Sequence, residues 1–145
     1  MADVVSKAVR SRNMSRIRGK DTEPELRVRR VVLRMGYRVR LHAAKLPGRP
    51  DIVLQRHRIA IFVHGCFWHR HQGCRFATRP ATRRAFWMAK FRQNMARDRR
   101  VAGQLRRSGW SVITIWECMT RDEARLRSSL MGRISRARQP KKSRS

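Results

Sequence analysis

The chain has 145 residues, of which 37 are Lys or Arg and 9 are Asp or Glu, so its formal net charge is +28 at pH 7. This length fits one domain with its own hydrophobic core and disfavours a second domain. The charge predicts a polyanionic partner, above all nucleic acid, because phosphates neutralised by Lys or Arg release condensed counterions. A ribosomal or histone-like packing protein, or a surface adapted to an unusual cell interior, would also carry such a charge.

The apolar runs are too short to cross a bilayer, and the first 20 residues lack the hydrophobic core of a signal peptide. We therefore expect a cytoplasmic protein with no membrane partner. The three cysteines are an odd number for a disulfide framework in a reducing compartment. They favour metal ligation or free thiols.

Three segments differ in composition. Residues 1–20 are basic with a faint helical period and predict an arm that a ligand orders, whereas residues 138–145 are too polar to fold. The folded domain is therefore expected at 21–137.

The segment 21–36 is the first predicted element of that domain, and it should be a helix. Thr22 and Glu25 have the spacing of a capping box, Pro24 suits a first turn and Gly36 is a natural stop. Taken alone, Glu25 needs no role beyond that cap.

Three strands are predicted next. Residues 37–41 alternate apolar and basic side chains, as a half-exposed strand does. The runs 51–55 and 58–64 are apolar and are separated by a polar turn at Arg56 and His57. They predict a hairpin whose inner faces are buried.

A long helix, a strand and a short final helix complete the domain. Apolar side chains recur at helical spacing through residues 82–109, and 110–118 is a further apolar strand. The final helix is marked by Leu126, Leu130 and Ile134. This order predicts an α/β fold in which a central mixed sheet is flanked by helices.

The stretch "HGCFWHRHQGC" at 64–74 concentrates two cysteines and three histidines. Cys66, His71 and Cys74 have a spacing that suits metal ligands, and Cys118 stands at the end of a predicted strand. Three thiolates and one imidazole are a closed tetrahedral set for structural Zn²⁺. The alternative is a buried Cys118 and free thiols in the loop.

Four residues of that stretch are not needed by the metal. His64 and His69, in a basic surrounding, are candidates for moving protons or for contacting a phosphoryl group, or for supporting other residues. Phe67 and Trp68 stand on a metal-held loop, which favours exposed rings.

The few acidic residues are informative by their placement. Asp51 follows a proline at the start of a strand, as in nucleases that gather a metal ion on a scissile phosphate with an acidic-x-Lys on the next strand. Here Phe62 and His64 occupy the acidic and Lys positions, so the motif is degenerate.

Longer stretches carry a resemblance to a known family. "RSRNMSRIRGKDTEPE", "LPGRPD", "VHGCFWHRH", "GCRFATRPATRRAFW" and "NMARDRR" through "GWSVITIWEC" resemble the very-short-patch repair endonucleases. The resemblance runs from about residue 10 to about residue 134. It implies a restriction-endonuclease-like fold in which a pattern ending in His replaces the acidic-x-Lys.

The resemblance also implies roles for single residues. Asp51 would bind catalytic Mg²⁺ together with the main-chain carbonyl of Val63, and Glu25 would act through water or behind the first ligands. His69 would be the general base and His64 a stabiliser of the phosphate or leaving group. The zinc ligands would be Cys66, His71, Cys74 and Cys118.

Asp98 is a candidate for orienting one of the histidines. Family members nick double-stranded DNA on the 5′ side of the thymine in a T:G mismatch that arises from deamination of 5-methylcytosine. The resemblance thus implies a DNA-repair endonuclease, with recruitment of mismatch-repair proteins left as an open question. We also expect the protein to be a monomer located at the nucleoid.

Phe67, Trp68 and Trp87 would then form an aromatic wedge, with the basic arm across the opposite groove. Inserted rings unstack bases at a cost that is least where pairing is already poor. For Trp87, a core position on the long helix is an equal alternative. Two further hypotheses stay open: a zinc-stabilised DNA-binding module without catalysis, and a nuclease of the same fold with another DNA target.

Overall fold

A four-stranded mixed sheet forms the centre of the molecule. We describe it from a computed structural model that covers residues 22–138 except 44, 68, 76 and 79. The strands, in spatial order, are β1 (Arg40–Leu41), β2 (Ile52–Leu54), β3 (Ile59–His64) and β4 (Ser111–Trp116). The pairs β1–β2 and β2–β3 are antiparallel, whereas β3 and β4 run parallel.

Helices cover both faces of this sheet. On one face lie α1 (Glu23–Arg34) and α3 (Glu123–Arg138), and on the other lies α2 (Arg84–Arg107). The larger core joins α1 and α3 to side chains of β2, β3 and β4, whereas the smaller one includes Leu105 of α2, Phe62 and Trp110. The strand β2 is buried on both faces because helices or loops cover each of them.

Local signals in the sequence position the first helix. The Thr22 side chain accepts a hydrogen bond of 3.4 Å from the backbone N–H of Glu25, and Pro24 lies in the first turn. Gly36, with φ +92°, follows the last turn in the left-handed conformation that glycine adopts without strain. The predicted helix is confirmed.

The predicted hairpin is also confirmed. β2 and β3 are joined by a short 3-10 helix, Gln55–His57, and by Arg58 in a left-handed conformation. The parallel partner β4 follows the long helix, as a crossover requires. The predicted α/β class, with a mixed sheet between helices, is therefore correct.

Several elements differ in length from the sequence expectation. The strand expected at 110–118 ends at Trp116, and Cys118 lies in the 3-10 helix Glu117–Arg121 that follows it. β1 spans only Arg40–Leu41, since Tyr37 continues the helix end through a bond from its N–H to Val32 and packs with Val39 on the core. The final helix, expected to be short, has 16 residues. The expected arm at 1–20 lies outside the described residues, as does the tail beyond Arg138.

Within the part of the chain that the structure describes, no helix combines the length and the apolar character needed to span a membrane.

Candidate active site and metal centre

One group of side chains lies where the chain enters β2. Asp51 directly precedes this strand, and its Oδ2 accepts a hydrogen bond of 2.7 Å from the backbone N–H of Val63 on β3. Glu25 of α1 and His42, which follows β1, reach the same place, with 3.1 Å between Glu25 Oε1 and His42 Nε2. One ligand atom from each of Asp51, Glu25 and His42 lies within 4.8 Å of the other two.

The surroundings of Asp51 favour its neutral form. Burial raises the pKa of Asp51 from 3.8 to about 6, and the charge of Glu25 acts in the same direction. The hydrogen bond from Val63 and the imidazoles of His42 and His69 oppose this rise in pKa. A divalent cation at this place would offset the repulsion between the two carboxylates, so these oxygen donors fit Mg²⁺ or a similar ion.

A second group joins β3, the loop after it and α2. His69 Nδ1 lies 2.6 Å from Asp98 Oδ2, and the rings of His64 and His69 stack with 3.9 Å between centroids. His64 Nδ1 is 4.0 Å from the same carboxylate oxygen. The expectation that Asp98 orients a histidine therefore has a matching geometry, with His69 as the partner.

The two histidines differ in their electrostatics. Burial and the neighbouring imidazole of His69 lower the pKa of His64 from 6.5 to about 4, although Asp98 acts in the opposite direction. Without DNA, His64 is thus neutral at neutral pH. It can donate a hydrogen bond from one ring N–H to a phosphate oxygen but carries no fixed positive charge.

A third group holds the three cysteines of the chain. Ligand atoms of Cys66, His71, Cys74 and Cys118 all lie within 4.8 Å of one another. His71 Nδ1 is 3.6 Å from the sulfur of Cys66 and 3.4 Å from that of Cys118. The His71 ring stacks on Trp116 at the end of β4, which fixes its direction. The four side chains that the sequence singled out as ligands are therefore together and can hold a metal ion.

The chemistry of this donor set also fits a cation. Burial raises the pKa of Cys66 to about 12, a rise to which Cys118 and Cys74 contribute through side-chain hydrogen bonds. Thiolates at such a place need a positive charge beside them. The backbone N–H of Cys118 already donates to the Cys66 sulfur over 3.4 Å, a support common around metal-bound thiolates.

Besides the Cys/His cluster, the side chain of Arg70 holds the loop after β3 in place. Its Nη1 donates to the carbonyls of Phe67 and Thr78, and its Nη2 donates to Ala77, over 3.0 to 3.3 Å. The guanidinium group also lies over the ring of Phe91 on α2, 4.2 Å from its centroid. The left-handed backbone of Arg70 separates two histidines with different partners, His69 and His71.

The aromatic residues of the proposed wedge form one cluster with α2. Phe67 packs edge-on against Phe91 and Trp87, with centroid distances of 5.1 and 6.1 Å. Phe67 is therefore half-buried, and the expectation of an exposed ring there was wrong because α2 covers it. Trp87 is also half-buried, whereas Phe86 beside it is 47% exposed. Trp68 lies outside the described residues.

Sequence reasoning did not find His42, Arg70 or Phe86. His42 and Glu25 are far apart in the sequence, so their contact depends on the path of β1. The contacts of Arg70 with three carbonyls could not be predicted either, because every residue has a backbone carbonyl. A signal was present for Phe86, since it adjoins Trp87 at the start of a long helix.

The fold and its site define a class of protein: an α/β nuclease of the restriction-endonuclease-like type with a Cys/His cluster that can hold a metal. The family model for the DNA mismatch endonuclease Vsr matches residues 2–75 of the chain. The chain belongs to this family. It is accordingly a DNA endonuclease, a hydrolase whose partner is DNA, and the family resemblance seen in the sequence is confirmed.

Individual relatives agree with this assignment. The chain is 45% identical over 126 residues to the DNA mismatch endonuclease Vsr of Escherichia coli. This alignment covers 87% of this chain and 80% of that protein. It is also 45% identical over 134 residues to the type II nicking enzyme V.XorIIP of Xanthomonas oryzae. This alignment covers 90% of this chain and 98% of that protein. The type II nicking enzyme V.NmeAIP of Neisseria meningitidis is 35% identical over 130 residues, covering 90% and 92%.

Proposed function

We propose that this protein nicks double-stranded DNA on the 5′ side of the thymine in T:G mismatches that arise from deamination of 5-methylcytosine. The observation that carries the proposal is that the carboxylate of Asp51 lies near enough to His69 for their charges to interact, with Glu25 beside Asp51 and Asp98 in contact with His69. The E. coli relative is named a mismatch endonuclease, which supports the choice of substrate.

Magnesium is the cation proposed at Asp51, with the main-chain carbonyl of Val63 as a further ligand and Glu25 acting through water or from behind these ligands. When bound, Mg²⁺ would neutralise charge on the scissile phosphate and lower the pKa of a water molecule. Val63 suits this role because the hydrogen bond from its own N–H fixes the Asp51 carboxylate beside it.

His69 is proposed as the general base. Its Nδ1 is engaged by Asp98, which leaves the other ring nitrogen to take a proton from the attacking water. Asp98 then stabilises the imidazolium that forms. His64, stacked on His69, is proposed to contact the phosphate or leaving oxygen as a neutral imidazole, in keeping with its low pKa.

The remaining parts are proposed to recognise DNA. Zn²⁺ at Cys66, His71, Cys74 and Cys118 would hold the loop to the end of β4. That loop would present an aromatic wedge to the mismatch together with α2, formed by Phe67, Trp68 and Trp87. Residues 1–20 would act as a basic arm, residues 21–137 as the endonuclease domain, and the protein would work as a monomer at the nucleoid.

A second candidate function is strand nicking at another DNA target. The relatives of Xanthomonas and Neisseria are named type II nicking enzymes, which supports this alternative. The same active site would serve both targets, because the chemistry at the phosphate does not depend on the base that is read.

The test is nicking of matched duplexes that carry T:G, C:G or 5-methylC:G at one position, with and without Mg²⁺. We expect a Mg²⁺-dependent nick in the T:G duplex alone. Equal nicking of all three duplexes would favour the second candidate. No nicking of any duplex by zinc-loaded protein would favour a DNA-binding module without catalysis.

A further inference from the structure

His42 lies beside the two carboxylates of the proposed magnesium site, yet the mechanism above gives it no role. Its Nε2 is 3.1 Å from Glu25 Oε1, and the ligand atoms of His42, Glu25 and Asp51 fall within 4.8 Å of one another. The side chain of His42 is 19% exposed and that of Glu25 is 2% exposed. An imidazole in this place is either a partner of Glu25 alone or a ligand of the same cation.

The spacing of these atoms matches that of ligands around one metal ion. In octahedral coordination with bonds of about 2.1 Å, adjacent ligand atoms are roughly 3 Å apart and opposite ones roughly 4.2 Å apart. The distance between His42 Nε2 and Glu25 Oε1 fits an adjacent pair. Asp51 is near enough for its carboxylate to reach the same ion after a small side-chain adjustment.

The backbone holds His42 in this position. Its own conformation is left-handed, with φ 49°, and its N–H donates to the Asp51 carbonyl over 3.4 Å. The loop between the two residues packs against α2 at Gly48, where an added Cβ would overlap the side chain of Val101. The backbone of His42 is therefore held beside Asp51, and the contact with Glu25 directs the imidazole toward the carboxylates, as a preformed ligand requires.

We propose that His42 is a direct ligand, beside Glu25, of the divalent cation proposed at Asp51 and the Val63 carbonyl, an inference that rests on the proposed function of that site. Imidazole nitrogen binds Mn²⁺ more readily than Mg²⁺, which prefers oxygen ligands. His42 thus makes the site more selective for Mn²⁺ than one built from carboxylates and carbonyls alone.

The experiment measures binding of Mn²⁺ itself to the full, zinc-loaded chain without DNA, from the electron paramagnetic resonance signal of free Mn²⁺ in mildly alkaline buffer. Competition of Mg²⁺ with bound Mn²⁺ then gives the affinity for Mg²⁺. In His42→Leu, the Mn²⁺ affinity should fall at least about tenfold, the scale seen when groups around a metal are removed. The Mg²⁺ affinity should change by no more than about threefold.

Two further variants separate ligation from support. His57→Leu is the matched control, because this imidazole packs on Tyr37 at the hairpin turn, and its affinities should equal those of the parent protein. His42→Gln keeps a hydrogen-bond donor for Glu25 but replaces the ring nitrogen. It should also have a lowered ratio of Mn²⁺ to Mg²⁺ affinity, and it supplies this test even if His42→Leu does not fold.

The proposal would be overturned if His42→Gln had the same ratio of Mn²⁺ to Mg²⁺ affinity as the parent protein, or if His42→Leu lost both affinities equally. Either result would show that His42 only positions Glu25. Unchanged Mn²⁺ binding in both variants would overturn it as well. Failure of the proposed function is distinguishable: the parent protein would then show no Mn²⁺ binding that Asp51→Asn removes.

Discussion

The buried position of the Asp51 carboxyl group, which suits the proposed cation site, costs the metal-free protein stability. Its pKa is raised from 3.8 to about 6, so the folded state binds this proton more tightly than the unfolded state does. The stabilising contribution is complete below pH 3.8 and is lost as the pH rises through about 6. At neutral pH the metal-free protein therefore carries a buried, destabilising charge.

Asp51→Asn should abolish nicking and at the same time stabilise the metal-free fold. A shift of this size corresponds to about 1 to 3 kcal/mol in the free energy of unfolding at neutral pH. Denaturant unfolding without divalent cations measures the gain, and added Mg²⁺ should stabilise the parent protein but not the variant. Zinc content and affinity for matched DNA should stay the same, and retained nicking by the variant would remove Asp51 from the metal site.

His69 and His64 should differ in how they affect the pH dependence of nicking. At saturating Mg²⁺, which keeps Asp51 ionised, the rate should rise with pH as the general base loses its proton. His69→Ala should flatten this rise. His64→Ala should lower the rate but keep the profile, because the pKa of His64 is already lowered to about 4. A flattened profile in the His64 variant would instead assign the base to His64.

At the scale of elements, the loop after β3 is held in place by two separate sets of side-chain contacts. The Cys/His cluster ties it to the end of β4, and Arg70 ties it to itself and to Phe91 of α2. This loop has little regular secondary structure, so these two sets of contacts stabilise it in place of the backbone hydrogen bonds of a strand. Losing either one should loosen the loop, but only loss of the Cys/His cluster should also lower the metal content.

Cys118→Ser should lower metal content and thermal stability together, because binding of a structural metal contributes directly to folding free energy. Elemental analysis of the parent protein should show about one Zn²⁺ per chain. Arg70→Met is the comparison, since it removes the other set of contacts and should leave the metal in place. A metal-free Cys118→Ser protein with parental stability would contradict the structural role of the metal.

The aromatic cluster should control the preference for mismatched DNA. Replacing Phe67 and Trp68 by Ala should slow T:G nicking by about tenfold or more, since stacking is worth roughly 1 to 3 kcal/mol per base. Binding of matched DNA should hardly change. Phe86→Ala removes an exposed ring of the same cluster and serves as the control for general loss of packing. A double variant that keeps its T:G preference would exclude this pair as the wedge.

The elements were predictable from the sequence to the extent that their signals are local. Thr22 and Gly36 bound α1, and the polar turn at His57 marks the hairpin, because caps and turns depend on neighbouring residues. The four-ligand cluster was found because cysteine is rare in this chain. The contact of His42 with Glu25 could not be predicted, since it depends on how β1 and α1 meet across the sheet edge.

At the scale of the whole molecule, the net charge of +28 should dominate affinity without providing selectivity. Phosphate contacts are the same at matched and mismatched sites, so the two duplexes should show the same steep loss of affinity with salt. We expect discrimination to come from the proposed wedge and from the easier opening of a poorly paired site. If residues 1–20 act as the proposed arm, they should add to affinity and not to selectivity.

Deleting residues 1–20 should therefore reduce the salt dependence of binding equally for both duplexes. The deletion removes six cations: Lys7, Arg10, Arg12, Arg16, Arg18 and Lys20. The slope of log affinity against log salt should fall by about 1 for each phosphate that the arm no longer neutralises, and by at least about 2 in total. Deleting residues 139–145, another basic segment, is the control. An unchanged slope after removal of residues 1–20 would argue against an arm on the DNA.

The most direct test of the central claim is the position of the cut in a T:G duplex labelled on each strand in turn. We expect one nick, on the 5′ side of the mismatched thymine, which needs Mg²⁺ and is absent with Asp51→Asn. The opposite strand should stay intact. A cut that appears at the same place in a C:G duplex, or that persists in the Asp51→Asn protein, would contradict mismatch-directed, Asp51-dependent nicking.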